Sequence, residues 1–417
     1  MADDEVWAQR ALEHIRFLVE EVGPRGATTP QEAQAAAYVQ ERLARLGLPS
    51  VHRQPFRGVW SGWRPLAVAC SLALWGLLIA LALPLWGGLI GALLTLSSAW
   101  IFYGETSLRF HPLRRWLGRR PSQNVFAAIP AATTQEKGSR PLRRVVLVGH
   151  LDTARTPIFQ RTRWREEAFA ILMPLTFVSV LSNGSLFLIG AVTHLPWPYW
   201  LAMGMGLLQA ITLILTLHAD HTPYSPGAND NASAVGTLLA LAERLVNEPF
   251  VYTEVWTLFT GCGETGGSGM RAFLEERWGK ALQDTLFIVL EGVGRGERLI
   301  YLTGEGVLGY IHYPPEALTM AERAGLLRPD VAAEPHRSEG YCTEMGVVAR
   351  WGGKGLVLSL FPNQVDRIAH RHRSDDRLEG IEPEALARVH AFLWAMLQAI
   401  DAEAAHQDHQ APSPPRR

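Results

Sequence analysis

Apolar and polar positions follow three rhythms along this chain, and each change of rhythm marks a segment. Residues 3–22 and 30–47 repeat apolar side chains at helical spacing, the second with Pro30 near its start and Gly47 near its stop. Two amphipathic helices are expected there. A short strand is expected at "SVHRQPF". From 65 to 103 the alternation disappears, and the stretch holds no charged side chain. A helix needs roughly 20 residues to cross a bilayer, so this block is about twice that length. Pro84, Gly87 and Gly88 break it near the middle. A hairpin of two transmembrane helices is expected, because a soluble helix would show a polar face; a re-entrant hairpin is the alternative. Residues 168–217 repeat the pattern around "HLPWP", whose prolines and aromatics suit an interfacial turn.

The third rhythm fills the remainder, where short apolar runs alternate with amphipathic stretches. "NVFAAIP" and "RRVVLVGH" read as adjacent strands, followed by a helix at "NASAVGTLLALAERLV" and a strand at "YTEVWTLFTG". A helix at "GMRAFLEER" and strands at "DTLFIVLEG" and "KGLVLSLF" come next, and "PEALARVHAFLWAMLQAID" closes the series as a helix. Buried strands covered by helices on both faces make an α/β fold. We therefore expect one soluble domain assembled from residues 1–64, 104–167 and 218–401, interrupted by apolar hairpins at 65–103 and 168–217. Each hairpin must cross an even number of times if the soluble pieces are to meet. The polar, proline-rich tail 402–417 is expected to be disordered.

Charge changes the picture in one respect. The formal net charge is −1 and the pI about 6.9, a balance that gives no reason to expect nucleic acid as a partner. Arginines, however, gather on one side of both apolar blocks. Arg57 and Arg64 precede the first, Arg109, Arg114, Arg115, Arg119 and Arg120 follow it, and Arg161, Arg163 and Arg165 precede the second. Both hairpin tips lack lysine and arginine, so an integral membrane protein with about four spans and a cytoplasmic soluble domain is expected. The amphipathic N-terminus lacks the pattern of a cleaved signal peptide. Three cysteines, Cys70, Cys262 and Cys342, are too few for a disulfide framework and suit reduced thiols facing a cytosol.

Candidate chemistry collects at the ends of the expected strands. "VVLVGHLDT" carries His150 and Asp152 two residues apart and on one face, as suits a ligand and the carboxylate that orients it. Asp230 sits among small and polar residues that open a helix, Glu264 lies in a glycine-rich loop, and Glu291 ends an apolar strand. A carboxylate in that last position is costly without a cation or donor nearby. His370 and His372 precede the closing helix. Two histidines and three carboxylates at one sheet edge meet the needs of a two-zinc hydrolase, in which one carboxylate bridges the ions.

These residues, with "SQNVFAAIP", "PGANDNASAVGTLLALAERL", "ETGGSGMRAF" and "HRSDDRLEGI", resemble the M28 family of zinc aminopeptidases. The resemblance covers most of the soluble sequence. It implies a three-layer α/β/α sandwich with a mixed, mostly parallel sheet, and hydrolysis of N-terminal peptide bonds by water activated at a site of two Zn2+ ions. It implies His150 and Glu291 as ligands of one zinc, Glu264 and His372 as ligands of the other, Asp230 bridging both, and Asp152 orienting His150. The resemblance implies a peptide or aminoacyl substrate as partner, the apolar blocks at 65–103 and 168–217 imply the lipid bilayer, and the oligomeric state is open. Glu291 stands where the family usually has aspartate. Gly263 stands where it has the glutamate that takes a proton from water. Glu344, Asp375 or a shifted Glu264 are the replacements to consider. A zinc-binding pseudo-peptidase acting as a receptor or regulator is the alternative, and a related acyl-transfer or cyclising reaction is a third possibility.

Overall fold

The computed structural model describes residues 2–48, 50–83, 86–109, 113–137 and 141–410. Its strands are β1 (Val51–Val59), β2 (Arg119–Ile129), β3 (Arg143–His150), β4 (Thr253–Thr260), β5 (Leu286–Glu291), β6 (Arg298–Glu305), β7 (Ile311–His312), β8 (Glu334–Arg337) and β9 (Lys354–Phe361). They form a single sheet in the order β1-β2-β4-β3-β5-β9-β6-β7, with β8 beside β6. The four central strands β4, β3, β5 and β9 are mutually parallel, while β1, β2, β6 and β7 add antiparallel pairings at the flanks. The sheet is therefore mixed, with its parallel character confined to the centre and to the β6–β8 pair.

That centre is where the sequence is most uniformly apolar. Val145, Val146, Leu147 and Val148 of β3 and Phe287, Ile288, Val289 and Leu290 of β5 are all buried, as strands covered on both faces must be. β2 and β3 are not neighbours, contrary to the expectation from their sequences. β4 lies between them, pairing antiparallel with β2 and parallel with β3. β2 runs opposite to the central strands, so it serves as the antiparallel flank of the parallel block. Proximity along the chain does not decide such a pairing.

Fourteen α-helices accompany the sheet among the described residues. In order they are α1 (Ala2–Arg16), α2 (Pro30–Arg45), α3 (Arg64–Ala82), α4 (Gly87–Thr106), α5 (Leu113–Trp116), α6 (Ala132–Lys137) and α7 (Arg163–Thr193). They continue as α8 (Trp197–His221), α9 (Ser233–Asn247), α10 (Ser268–Arg277), α11 (Lys280–Gln283), α12 (Pro315–Leu327), α13 (Glu344–Arg350) and α14 (Pro383–Gln410). Thr29 caps α2 by accepting from the Glu32 amide, with Pro30 in the first turn, as the sequence signal requires. Helices α10 and α13 pack together as one layer against the sheet, and α1, α9 and α14 pack together in another. The expected tail is shorter than its sequence suggests, because α14 continues through 402–410. Glu403 receives Arg323 at 2.5 Å and Ala404 is buried, so this extension has its own contacts. Residues 411–417 lie outside the described residues, as does the break expected at Pro84.

Four helices, α3, α4, α7 and α8, are long and apolar enough to cross a membrane. They pack as two hairpins into one bundle, α4 on α7 and α3 on α8. Its interior mixes small and apolar side chains such as Ala69, Phe102, Val180 and Phe187 with polar ones. Thr176 and Thr212 share a hydrogen bond of 2.7 Å, Ser98 donates to the Ala69 carbonyl at 2.6 Å, and Asn183 donates to the Ala202 carbonyl at 3.3 Å. Gly76 and Gly91 face each other so closely that an added Cβ on either would meet the other's carbonyl oxygen or backbone environment below 3 Å. Trp75, Leu78, Leu93, Trp100, Val178 and Ile214 point outward and are exposed. Small residues and side-chain hydrogen bonds inside, with apolar side chains outside, are the arrangement of helices packed in lipid. At the domain end Arg64, at the start of α3, pairs with the buried Asp220 near the end of α8 at 2.8 Å.

Candidate metal centre

Sheet register sets the site. β3 ends at His150 opposite Thr260, the last residue of β4, and β5 ends at Glu291 opposite Ser359. The loops leaving these ends carry the other groups. Asp230 lies in a bent turn that enters α9, with φ −116° and ψ 88°. Asp376 holds this turn by accepting from the Asn229 amide at 2.7 Å and the Asp230 amide at 3.0 Å. Arg25 ties the same turn to the end of β3. Its guanidinium donates to the Gly227 carbonyl at 2.9 Å and to the Leu151 carbonyl at 3.0 Å.

All five of the expected donors converge. His150, Asp230 and Glu291 form one group and Asp230, Glu264 and His372 another, with Asp230 common to both. Its two oxygens divide between them. Oδ1 lies 3.4 Å from His150 Nε2, which is also 3.4 Å from Glu291 Oε2. Oδ2 lies 3.5 Å from His372 Nε2, which is 3.1 Å from Glu264 Oε2. A tetrahedral zinc with ligands at about 2.0–2.1 Å would hold its donors roughly 3.3 Å apart. The observed separations suit that spacing in both groups. Neither oxygen of Asp230 has a hydrogen-bond partner, nor has Glu264 Oε1 or His372 Nε2, although all are buried. Leaving such atoms bare is costly unless something else binds them. Nitrogen and oxygen donors in these numbers fit zinc.

The charges already feel one another. Burial opposes ionisation of Asp230, but the His150 contact, His372 and Arg371 outweigh it and hold its pKa below the ordinary carboxylate value. Burial would also lower the His150 pKa, yet Glu291, Asp152 and Asp230 together raise it well above the usual histidine value. Glu291 moves upward through burial, with His150 acting against the shift.

Asp152 meets His150 through its main chain more closely than through its carboxylate. His150 Nδ1 hydrogen-bonds to the main-chain oxygen of Asp152 at 2.9 Å, and the nearer carboxylate oxygen is 3.6 Å away. The carboxylate instead accepts from the Gly263 amide at 2.7 Å and the Glu264 amide at 3.1 Å. It thus fixes the loop that presents Glu264. His370 stays outside the centre, 3.1 Å from Asp375. The residue between the two histidines, Arg371, was not anticipated. It lies half-buried over the Tyr341 ring at 4.3 Å, with Nε 3.7 Å from Asp230 Oδ2. His370 and His372 both have positive φ, 55° and 56°, and no residue pattern announces that paired turn.

Gly263 is explained by space. A Cβ there would lie 2.5 Å from His150 Cβ and 2.8 Å from Cγ, so a side chain does not fit without moving a metal-site histidine. Of the replacement carboxylates, Glu344 is buried and accepts from Thr260 Oγ1 at 2.7 Å. Burial pushes its pKa up to about 8. Asp375 is bound by Arg373 through hydrogen bonds of 3.0 and 2.9 Å and by His370.

Comparison with known proteins narrows the class. The description "Peptidase family M28" matches residues 207–397. That segment includes Asp230, Glu264, Glu291 and His372, while His150 lies before it. No curated protein matches the chain. Among solved structures, a leucine aminopeptidase precursor from Bacteroides thetaiotaomicron is similar at a TM-score of 0.53 and 14% identity, over 93% of this chain and 96% of that one. A glutaminyl cyclase from the same organism gives 0.54 and 14%, over 93% and 96%. An aminopeptidase from Aneurinibacillus sp. strain AM-1 gives 0.55 and 12%, over 94% and 93%. At these identities the likeness is one of fold.

Proposed function

We propose that this chain is a membrane-anchored, zinc-dependent peptidase, most simply an aminopeptidase, working at a two-zinc site on the cytoplasmic side. The observation that carries the reading is Asp230, a buried carboxylate whose two bare oxygens are divided between two groups of donors at zinc-like spacing. The M28 match supports the class, and the arginines flanking both hairpins support the orientation. His150 and Glu291 would hold one ion, Glu264 and His372 the other, with Asp230 shared. Bound zinc would supply polarisation of the substrate carbonyl and acidification of a water.

The chain's own residues must then handle the proton. Position 263 has no room for a carboxylate, and Glu344 is engaged by Thr260 and favours its protonated form. Glu264 uses Oε2 towards His372 and leaves Oε1 without a partner. We assign the proton to Glu264, with Asp152 fixing its backbone. In a panel of aminoacyl amides, Glu264→Gln with zinc retained should lower kcat by ~10²–10⁴-fold, the usual contribution of a general base. An unchanged rate would remove Glu264 from that role.

One observation favours the second reading, a zinc-binding receptor or regulator without turnover: the close packing of Gly263 on His150 has closed the place where the family keeps its base. Zinc retained together with silence across the panel, in wild type and variant alike, would select it.

A further inference from the structure

A cavity of about 690 Å³ runs from the metal centre to the membrane helices. Gly263, Glu264, Arg371 and His372 line one end. Trp63, Leu66, Phe169, Ala170, Ile171 and Met173, from the beginnings of α3 and α7, line the other. α7 has 31 residues, about 46 Å at the rise of an α-helix, whereas a bilayer core is about 30 Å thick. Its first turns, "RWREEAFAI", therefore stand at the bilayer surface when the apolar remainder is inside, and the cavity's apolar wall stands with them.

That wall is built into the site. Phe169 stacks on Phe159 with ring centroids 3.8 Å apart, and the edge of Trp63 meets Phe159 at 5.3 Å. Arg367, a few residues before Arg371 and His372, pairs with Glu166 at 2.5 Å and Glu167 at 3.3 Å. The loop that carries His372 is thus fastened to the first turns of α7. Ala170 on α7 stands 3.9 Å from where a Cβ on Gly340 would lie, so these two small residues meet in the cavity wall and a larger side chain at 170 would crowd it. A site for short soluble peptides has no need of walls taken from membrane helices. One whose ligand has a polar end and an apolar chain does.

We propose that the site takes amphiphilic amides: the amide end lies at Glu264 and His372, and the apolar chain follows α7 and α3 to the bilayer surface. This rests on the peptidase reading and the membrane reading above. An alkyl chain and an apolar peptide segment offer the same surface. Hydrolysis adds water across the amide, giving an amino acid and a chain-bearing amine or shortened peptide.

The test uses the full zinc-loaded chain in phospholipid nanodiscs, with leucine butylamide, leucine dodecylamide and leucyl peptides of matching apolar length. kcat/KM should rise at least tenfold from butyl to dodecyl, since each buried methylene adds to binding. Ala170→Trp, which fills the passage from an exposed position, should shrink that ratio towards one. The peptide series distinguishes the two sources, and a preference for long chains in either series sustains the proposal. Equal rates for short and long chains in wild type would overturn it while leaving the peptidase reading intact. If no amide is cleaved, the peptidase reading fails and binding decides the proposal. Wild type should then bind the dodecyl compound at least tenfold more tightly than Ala170→Trp, and equal binding would overturn it.

Discussion

The sheet domain and the four-helix bundle solve opposite problems with the same chain. In the domain, the middles of β3, β5 and β9 are apolar and buried, and the charged groups that are buried, such as Arg25, Glu32, Asp230 and Glu344, sit in loops and at element ends. In the bundle, Thr95, Ser98, Thr176, Asn183, Gln209 and Thr212 are buried, while Trp75, Leu93, Trp100 and Ile214 are exposed. Water expels apolar surface from the outside of the first. In the membrane setting proposed above, lipid would make no such demand on the second, whose helices are held by close contact and hydrogen bonds. The difference lies at the surface: large apolar side chains crowd the outside of the bundle, whereas the domain keeps most of its own inside.

The largest expected effects come from exchanging those rules. Phe259, fully buried in β4, should cost about 3–5 kcal/mol as Phe259→Ala, measured by chemical unfolding of the purified protein. On the bundle exterior, Leu93→Lys should disfavour insertion by about 2.5–3.5 kcal/mol in a membrane-insertion assay. The domain offers a control of similar appearance: Leu326 on α12 is 80% exposed, against 67% for Leu93, yet Leu326→Lys should stay within about 0.5 kcal/mol. If Leu93→Lys is as mild as Leu326→Lys, the bundle does not face lipid.

Next in size is Gly263. Because an added methyl would overlap His150, Gly263→Ala should destabilise by about 1–3 kcal/mol, the usual cost of overpacking, and reduce zinc retention. By the same contact, Gly263→Glu should displace His150 and not raise activity. A Gly263→Glu protein with full zinc and higher turnover would show that the loop can open.

Much of this was legible in the residues. The apolar runs located β3, β4, β5 and β9, and the strand-end acids and histidines located the five donors, because burial of a charge needs a visible reason. The rest depended on three-dimensional company. β6, β7 and β8 are short or polar in part, and their pairing comes from β9 and from one another. The place of β4 between β2 and β3 is a choice of partner. Arg371 and Arg25 sit in loops without a pattern, and their importance lies in carbonyls and carboxylates contributed by distant segments. Asp152 has the expected place and a different set of hydrogen bonds.

A different kind of effect is a pH slope that belongs to the domain. The bundle interior named above contains hydroxyls and carboxamides, which do not titrate in the ordinary range. The domain interior contains Glu305 and Glu344, whose pKa values burial raises from 4.5 to about 7 and about 8. Folding therefore favours their protonated forms. Their contribution to stability is full below about pH 4.5 and is lost as pH rises through about 7 to 8. Thermal unfolding of the domain should shift to lower temperature over that window, and Glu305→Gln should flatten the slope. The same pH dependence of melting in wild type and Glu305→Gln would contradict the assignment.

The reading proposed above turns on one carboxylate, Asp230, shared between two groups of metal-binding donors at the end of the sheet. Elemental analysis of protein extracted from membranes tests it most directly. About two zincs per chain are predicted, with at least one lost in each of His150→Ala and His372→Ala. A wild type without bound zinc, or full zinc content in both variants, would contradict the account.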